Sequence, residues 1–74
     1  MAWRNHISVD PGIQGGRPVI TGTRVPVQVI VGSLAGGMTP EEVCAEYRVT
    51  EEQVRAALAY AAEMVASERI VVLE

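Results

Sequence analysis

The sequence predicts a mainly α domain with a small β part: an N-terminal β-hairpin, a three-helix helix-turn-helix unit and a short C-terminal strand. Three observations lead to this fold class. They are β-branched runs on both sides of a Thr-Gly pair, two helix-start motifs eleven residues apart, and apolar residues at helical spacing. We expect one domain over 1–74, with a hairpin region at 1–25, three helices within 26–67 and an apolar tail at 68–74.

The hairpin region begins with Ile7-Ser8-Val9, which alternates apolar and polar residues. The strongest indication of a hairpin is Thr21-Gly22, a two-residue turn in which glycine can adopt a positive φ. We expect strands at Val19-Ile20 and Thr23-Arg24-Val25, with the Arg24 side chain bonding a loop carbonyl or a carboxylate. The residues to which we assign a structural role are Gly22, Thr23, Arg24 and Pro26.

The first helix is predicted to begin at Pro26, whose fixed φ suits the first helical turn, and to end at Gly36-Gly37. Apolar residues nearly surround it, which is typical of a helix buried on several sides. A chain this short buries little surface by itself. We therefore expect this helix to face a second subunit in a homodimer. The candidate dimer contacts on it are Val27, Val31 and Leu34.

The second and third helices are both predicted to begin with a capping box, in which a threonine and a residue three positions later bond each other's backbone. Thr39 with Glu42 marks the first of these starts, and Thr50 with Gln53 marks the second. Only Tyr47-Arg48-Val49 lies between the helices, so they have the spacing of a helix-turn-helix.

This spacing supports a DNA-binding interpretation, in which the start of the third helix enters a major groove. Gln53 would pair with adenine, Arg55 with guanine and Arg48 with a phosphate, while Arg17 would reach the backbone from a basic hairpin wing. The alternative is a helical corner that only packs a core. The glutamates at the start of the third helix favour that alternative, because they repel phosphate.

The tail contains the apolar run Ile70-Val71-Val72-Leu73, which we interpret as a strand. It has three possible positions: within the N-terminal sheet, exchanged with a twin subunit, or added to the sheet edge of a partner. The candidate partner-binding residues in this run are Ile70, Val71, Val72 and Leu73.

Composition excludes several classes of function. Cys44 and His6 are the only residues of their types, so we expect no internal disulfide, no Cys/His zinc site, no cofactor and no nucleophile–base pair of an enzyme. A net charge of −3, with six arginines and no lysine, argues against binding nucleic acid by bulk charge. No segment approaches the roughly 20 apolar residues of a membrane span, and no secretory signal is visible, so we expect a cytoplasmic protein without a membrane partner.

The run from Gly16 to Val27, Gly-Arg-Pro-Val-Ile-Thr-Gly-Thr-Arg-Val-Pro-Val, resembles the signature of the domain of unknown function 433 family. Further similarity follows at 37–43, 47–54 and 57–61, so the resemblance covers roughly residues 7–66. It implies a winged or homeodomain-like helix-turn-helix fold, usually dimeric. Members are often encoded beside a PIN-like ribonuclease, which implies a type II antitoxin that binds promoter DNA and neutralises that toxin.

A second function stays open from the residues alone. The negative net charge and the apolar run in the tail favour a protein–protein interaction and dimerisation module that does not bind DNA.

Overall fold

Two strands and three helices form the part of the chain that the structure, a computed structural model, describes, residues 3–67. In chain order the elements are β1 (Ile7–Val9), β2 (Pro18–Ile20), α1 (Val27–Ala35), α2 (Pro40–Tyr47) and α3 (Glu51–Ser67). The mainly α architecture with an N-terminal hairpin confirms the predicted fold class. The expected C-terminal strand lies outside the described residues.

The hairpin pairs different segments from those predicted. β1 and β2 are antiparallel, with Ile7 opposite Ile20 and Val9 opposite Pro18. The turn at Thr21-Gly22 is present, and Gly22 has a φ of +81°. The segment after it is nevertheless not a strand, and only an isolated bridge joins Val19 to Pro26.

Thr23 explains this difference. Its hydroxyl donates to the Ile20 carbonyl oxygen at 2.7 Å and accepts from the Val25 amide at 3.0 Å. Such local side-chain bonds compete with a strand ladder for the same backbone groups. The chain therefore closes a compact turn and continues directly towards α1.

α1 begins one residue later than predicted. Pro26 has an extended backbone, with φ −68° and ψ 143°, and so precedes the helix as its N-cap. The end of the helix is as predicted: the Gly36 amide bonds the Gly32 carbonyl oxygen, and Gly37 adopts a φ of +109°.

Both predicted capping boxes form. The Thr39 amide donates to Glu42 Oε1 at 2.8 Å, and the Glu42 amide donates to the Thr39 hydroxyl at 3.1 Å. Thr50 and Gln53 make the same pair of bonds at the start of α3. Between the boxes, Arg48 ends α2 in a left-handed conformation, with φ 56° and ψ 48°. The two helices are thus separate and joined by a sharp corner.

The core lies between the hairpin and the three helices, and it consists of small aliphatic side chains. Its members are Ile7, Ile20, Val27, Ile30, Val43, Val49, Val54, Ala56 and Ala57. The N-terminal segment adds to it, since the Trp3 ring meets the Tyr60 ring edge-on at 4.7 Å. Among residues 3–67, no helix has both the length and the apolar composition needed to cross a membrane.

α3 buries small side chains and exposes larger ones. Ala56 is fully buried, whereas Leu58 and Val65 are exposed. α3 contacts α1, α2 and β1, so the core must approach it from several directions at once. Alanine allows that close approach, and the larger side chains are turned towards solvent.

Candidate interaction surface

The side of α3 that faces away from the core forms one continuous surface. It consists of exposed residues that follow one another at alternating intervals of four and three positions. They are Glu51, Arg55, Leu58, Ala62 and Val65. We call this set the outward face of α3. In a helix-turn-helix, this is the side of the last helix that is available to a binding partner.

The outward face is apolar over most of its length. Leu58 is 42% exposed and Val65 is 61% exposed, and Met64 beside them is 37% exposed. The alternation of four and three residues is the repeat that lets two helices pack along a common seam. From Leu58 to Val65 the surface therefore has the composition and spacing of a protein contact.

The polar end of this face contains a weak ion pair. Arg55 Nη2 lies 3.6 Å from Glu51 Oε1, one helical turn away, and both side chains are about two-thirds exposed. An exposed pair of this kind stabilises a helix only slightly. It does, however, place a carboxylate beside the cation that was predicted to contact guanine.

Gln53 is held in a different role from the one that DNA readout requires. Its Oε1 accepts the Thr50 amide at 2.8 Å in the capping box. A bidentate bond to adenine needs both the oxygen and the nitrogen of this amide group. Gln53 therefore does not read a base while the box is formed.

The other two predicted DNA contacts lie in separate elements. Arg48 is exposed at the corner between α2 and α3, whereas Arg17 is exposed in the hairpin, directly before β2. At the same end of α3, Glu52 Oε1 lies 3.9 Å from His6 Nε2. This contact between the hairpin and α3 was not foreseen from the sequence.

The residues of α1 chosen as dimer contacts are not on an open surface. Val27 is 4% exposed and belongs to the core of its own chain. Val31 and Leu34 are half-buried and pack against the same core. Their burial within the chain accounts for much of the apolar character that was read as a subunit contact. The tail residues 70–73 lie outside the described part.

The structural motif around Thr23 also borders a cleft of about 670 Å³ that sequence reasoning missed. The residues lining it are Ser8, Asp10, Ile13, Val19, Gly22, Thr23 and Arg24. The predicted bond of Arg24 involves its backbone instead of its side chain: Gln14 Nε2 donates to the Arg24 carbonyl oxygen at 3.2 Å. Within residues 3–67, no ion pair or hydrogen bond involves the Arg24 guanidinium.

The described part of the chain contains no candidate metal site. Residues 3–67 contain no group of three or more His, Cys, Asp or Glu side chains placed to hold an ion.

Comparison with known proteins finds solved structures of similar fold. Residues 7–61 match the family model described as a protein of unknown function, DUF433. The chain is similar to a crystallised DUF433 member from Anabaena variabilis, with 34% identity and a TM-score of 0.76 over 81% of this chain and 60% of that one. It is also similar to Rv2018 from Mycobacterium tuberculosis, with 35% identity and a TM-score of 0.68 over 76% of this chain and 27% of that one. Less than two thirds of either solved protein is thus covered. A search of curated proteins gave no match.

Proposed function

From the premise that the chain belongs to the DUF433 family, whose description names no activity, we propose that it is a non-enzymatic, cytoplasmic, antitoxin-like module. The module acts by binding proteins, and its first partner is a second copy of itself. The observation that carries the proposal is the apolar outward face of α3. Leu58 and Val65 leave aliphatic side chains exposed on the same side of the helix. Surfaces of this kind mark contacts with other proteins.

The same face is a poor surface for DNA. Phosphate is bound by cations and amide donors, but Glu51 and Glu52 stand at the start of α3 and Arg55 is paired with Glu51. Leu58 and Ala62 occupy the next positions, where base edges would require hydrogen-bonding groups. The charge and the polarity of α3 therefore favour a protein partner.

A second copy fits this face because the face is self-complementary. Leu58 is large and Ala62 is small, and they lie one helical turn apart on the same side. An antiparallel pair of α3 helices related by a two-fold axis would place Leu58 of each copy over Ala62 of the other. The contact would bury both leucines against a surface that a helix backbone can approach closely.

The decisive experiment is the molecular mass of the full chain in solution, measured by sedimentation equilibrium. We expect a dimer for the native chain and a folded monomer for the variant Leu58→Glu plus Val65→Glu, because both positions are exposed within the chain. The matched control, Asn5→Asp plus Gln28→Glu, adds the same charge at exposed positions outside the face and should remain dimeric. A native monomer at every concentration, or a dimeric outward-face variant, would contradict the proposal.

The antitoxin role comes from the family resemblance and has its own test. Co-expression of the chain with the proteins encoded on either side of its gene should yield a complex with a PIN-like ribonuclease, whose activity is lost in the complex. If no neighbouring product co-elutes, or if the nuclease stays active, the antitoxin role is excluded. Neither result contradicts the proposed dimer.

DNA binding is a second candidate, favoured by the exposure of both Arg48 and Arg55 at the helix corner. A gel shift on the DNA upstream of the gene, at two salt concentrations, tests it. Contacts to phosphate weaken as salt rises, so the shift should be weaker at the higher salt concentration. Loss of the shift in a variant with Arg48→Gly plus Arg55→Gln would support operator binding. If the native chain gives no shift at either concentration, this candidate is excluded.

A further inference from the structure

The cleft beside Thr23 lies on the face of the hairpin that points away from the helices. Ile7 and Ile20 pair across the hairpin and belong to the core. Successive side chains of a strand point to opposite faces, so Ser8 and Val19 are on the other side. Val19 is buried at the base of the cleft, although it is not part of the core cluster.

Hydrogen bonds within the chain hold both walls of the cleft in place. Asp10 Oδ1 accepts the Gly12 amide at 2.8 Å, which fixes the first loop. The bond from Gln14 to the Arg24 carbonyl oxygen ties that loop to the opposite wall. The cleft is therefore formed before any ligand arrives.

The chemistry of the lining selects a class of ligand. Ile13 and Val19 make the base apolar, and the Arg24 guanidinium stands at the rim with no partner among residues 3–67. Nucleic acid is a poor fit, because none of the lining residues is aromatic. The lining suits an apolar peptide segment that ends in a carboxylate.

We propose that this cleft binds the segment Ile70–Glu74 of a second copy of the chain. The segment reads Ile-Val-Val-Leu-Glu, so it offers aliphatic side chains for Ile13 and Val19 and a carboxylate for Arg24. The inference rests on the proposed self-association, to which it adds a second contact.

A second copy is the proposed source of the segment because Ser67, from which it continues, lies at the opposite end of α3 from the contact between Glu52 and His6. Ser67 lies about 22 Å along the α3 axis from Glu52, and Glu52 is beside His6 at the start of the hairpin. The seven residues from 68 to 74 span at most about 25 Å when fully extended. A return to the start of α3 would therefore use most of that length.

The test is a titration followed by amide chemical shifts of a labelled full-length chain. The chain carries Leu73→Ser and Glu74→Gln so that its own segment does not compete, and the probe is an acetylated, amidated peptide of residues 68–74. We expect shifts at Val19, Gly22 and Thr23. Adding Arg24→Gln should weaken binding about tenfold or more, while the control Arg17→Gln, an exposed arginine outside the cleft, should not.

A second peptide, with Glu74→Gln, identifies the carboxylate. It should bind the Arg24 chain about tenfold more weakly and should lose no further affinity on the Arg24→Gln chain, because the two changes remove one interaction. The inference is overturned if the shifts fall elsewhere, if Arg17→Gln weakens binding equally, or if isotope-filtered spectra of the native chain show Leu73 touching Val19 of its own chain. Adding Leu58→Glu plus Val65→Glu to the labelled chain should leave peptide binding intact, which separates the cleft from the dimer contact.

Discussion

Single hydroxyl groups stabilise the starts of α2 and α3 and the turn that precedes α1. Thr23 bonds one backbone group on each side of it and so ends the hairpin before a third strand can form. Thr39 and Thr50 bond the amides that a helix start leaves without partners. Each hydroxyl replaces a bond that regular secondary structure would otherwise have to supply.

Replacing Thr23 with Val should lower the free energy of unfolding by about 1–3 kcal/mol. The shape is nearly unchanged, but the half-buried Val25 amide loses its acceptor. Urea unfolding measures the effect. Thr23→Ser should be much closer to the native chain, and Thr21→Val, which removes an exposed hydroxyl pair with Ser8, serves as the control. An equal loss for Thr23→Ser would assign the effect to the methyl group instead.

Arg48 occupies a backbone conformation that glycine adopts without strain. Because an L-residue in the left-handed region costs about 1 kcal/mol, Arg48→Gly should raise stability by about that amount. Arg48→Ala keeps the strain and is the matched comparison. Thermal unfolding of the two variants should differ in favour of glycine, and a higher midpoint for alanine would contradict this explanation.

At the scale of elements, α3 has two different sides. Val54, Ala56 and Ala57 pack against the other elements, whereas Leu58 and Val65 face solvent. The helix is longer than either of its neighbours and extends past the core that they form. Its start is fixed by a capping box, so the orientation of the outward face depends on that box.

Breaking either capping box should cost about 1 kcal/mol of stability, because amides at the helix start lose their acceptors. Thr39→Ala tests α2 and Thr50→Ala tests α3, by urea unfolding with circular dichroism. Gln53→Glu keeps a side-chain oxygen as acceptor in the box of α3 and should preserve stability, whereas Gln53→Ala should not. Equal losses for these two variants would show that the side-chain bond at the start of α3 has no part in its stability.

At the scale of the whole molecule, the buried side chains of the described residues are all apolar. No polar or charged side chain is buried among residues 3–67, so the core has no specific polar contacts to add to its stability. Short aliphatic side chains and alanine make up that core, and a domain of this size retains little margin by itself. The proposed dimer would add buried apolar area.

The thermal midpoint of the native chain should therefore rise with protein concentration, since a dimer stabilises the folded state by mass action. The variant with Leu58→Glu plus Val65→Glu should unfold at a lower temperature that does not depend on concentration. Calorimetry over a wide range of concentrations measures both. A native midpoint that is constant over that range would mean that folding does not require a partner chain.

Prediction from the sequence succeeded where one short segment contains all the interacting groups. The end of α1 at Gly36-Gly37 and the starts of α2 and α3 depend on residues within about one helical turn, so their patterns are visible in the chain. The hairpin was misassigned at 23–25 because the alternation of β-branched residues gives no information about the Thr23 hydroxyl. The bond from the Thr50 amide to Gln53 belongs to the predicted capping box, and DNA contact by Gln53 stays a prediction.

The sequence by itself determined the order of the elements, their caps and the sharp corner at Arg48, because backbone bonds over three or four residues decide them. Only the tertiary structure decided which side of α3 is buried, that β1 pairs with β2, and that Arg24 borders a cleft. Those features depend on segments far apart in the chain competing for the same space. Alanine at position 56 allows that close packing, and Leu58 is exposed as a consequence.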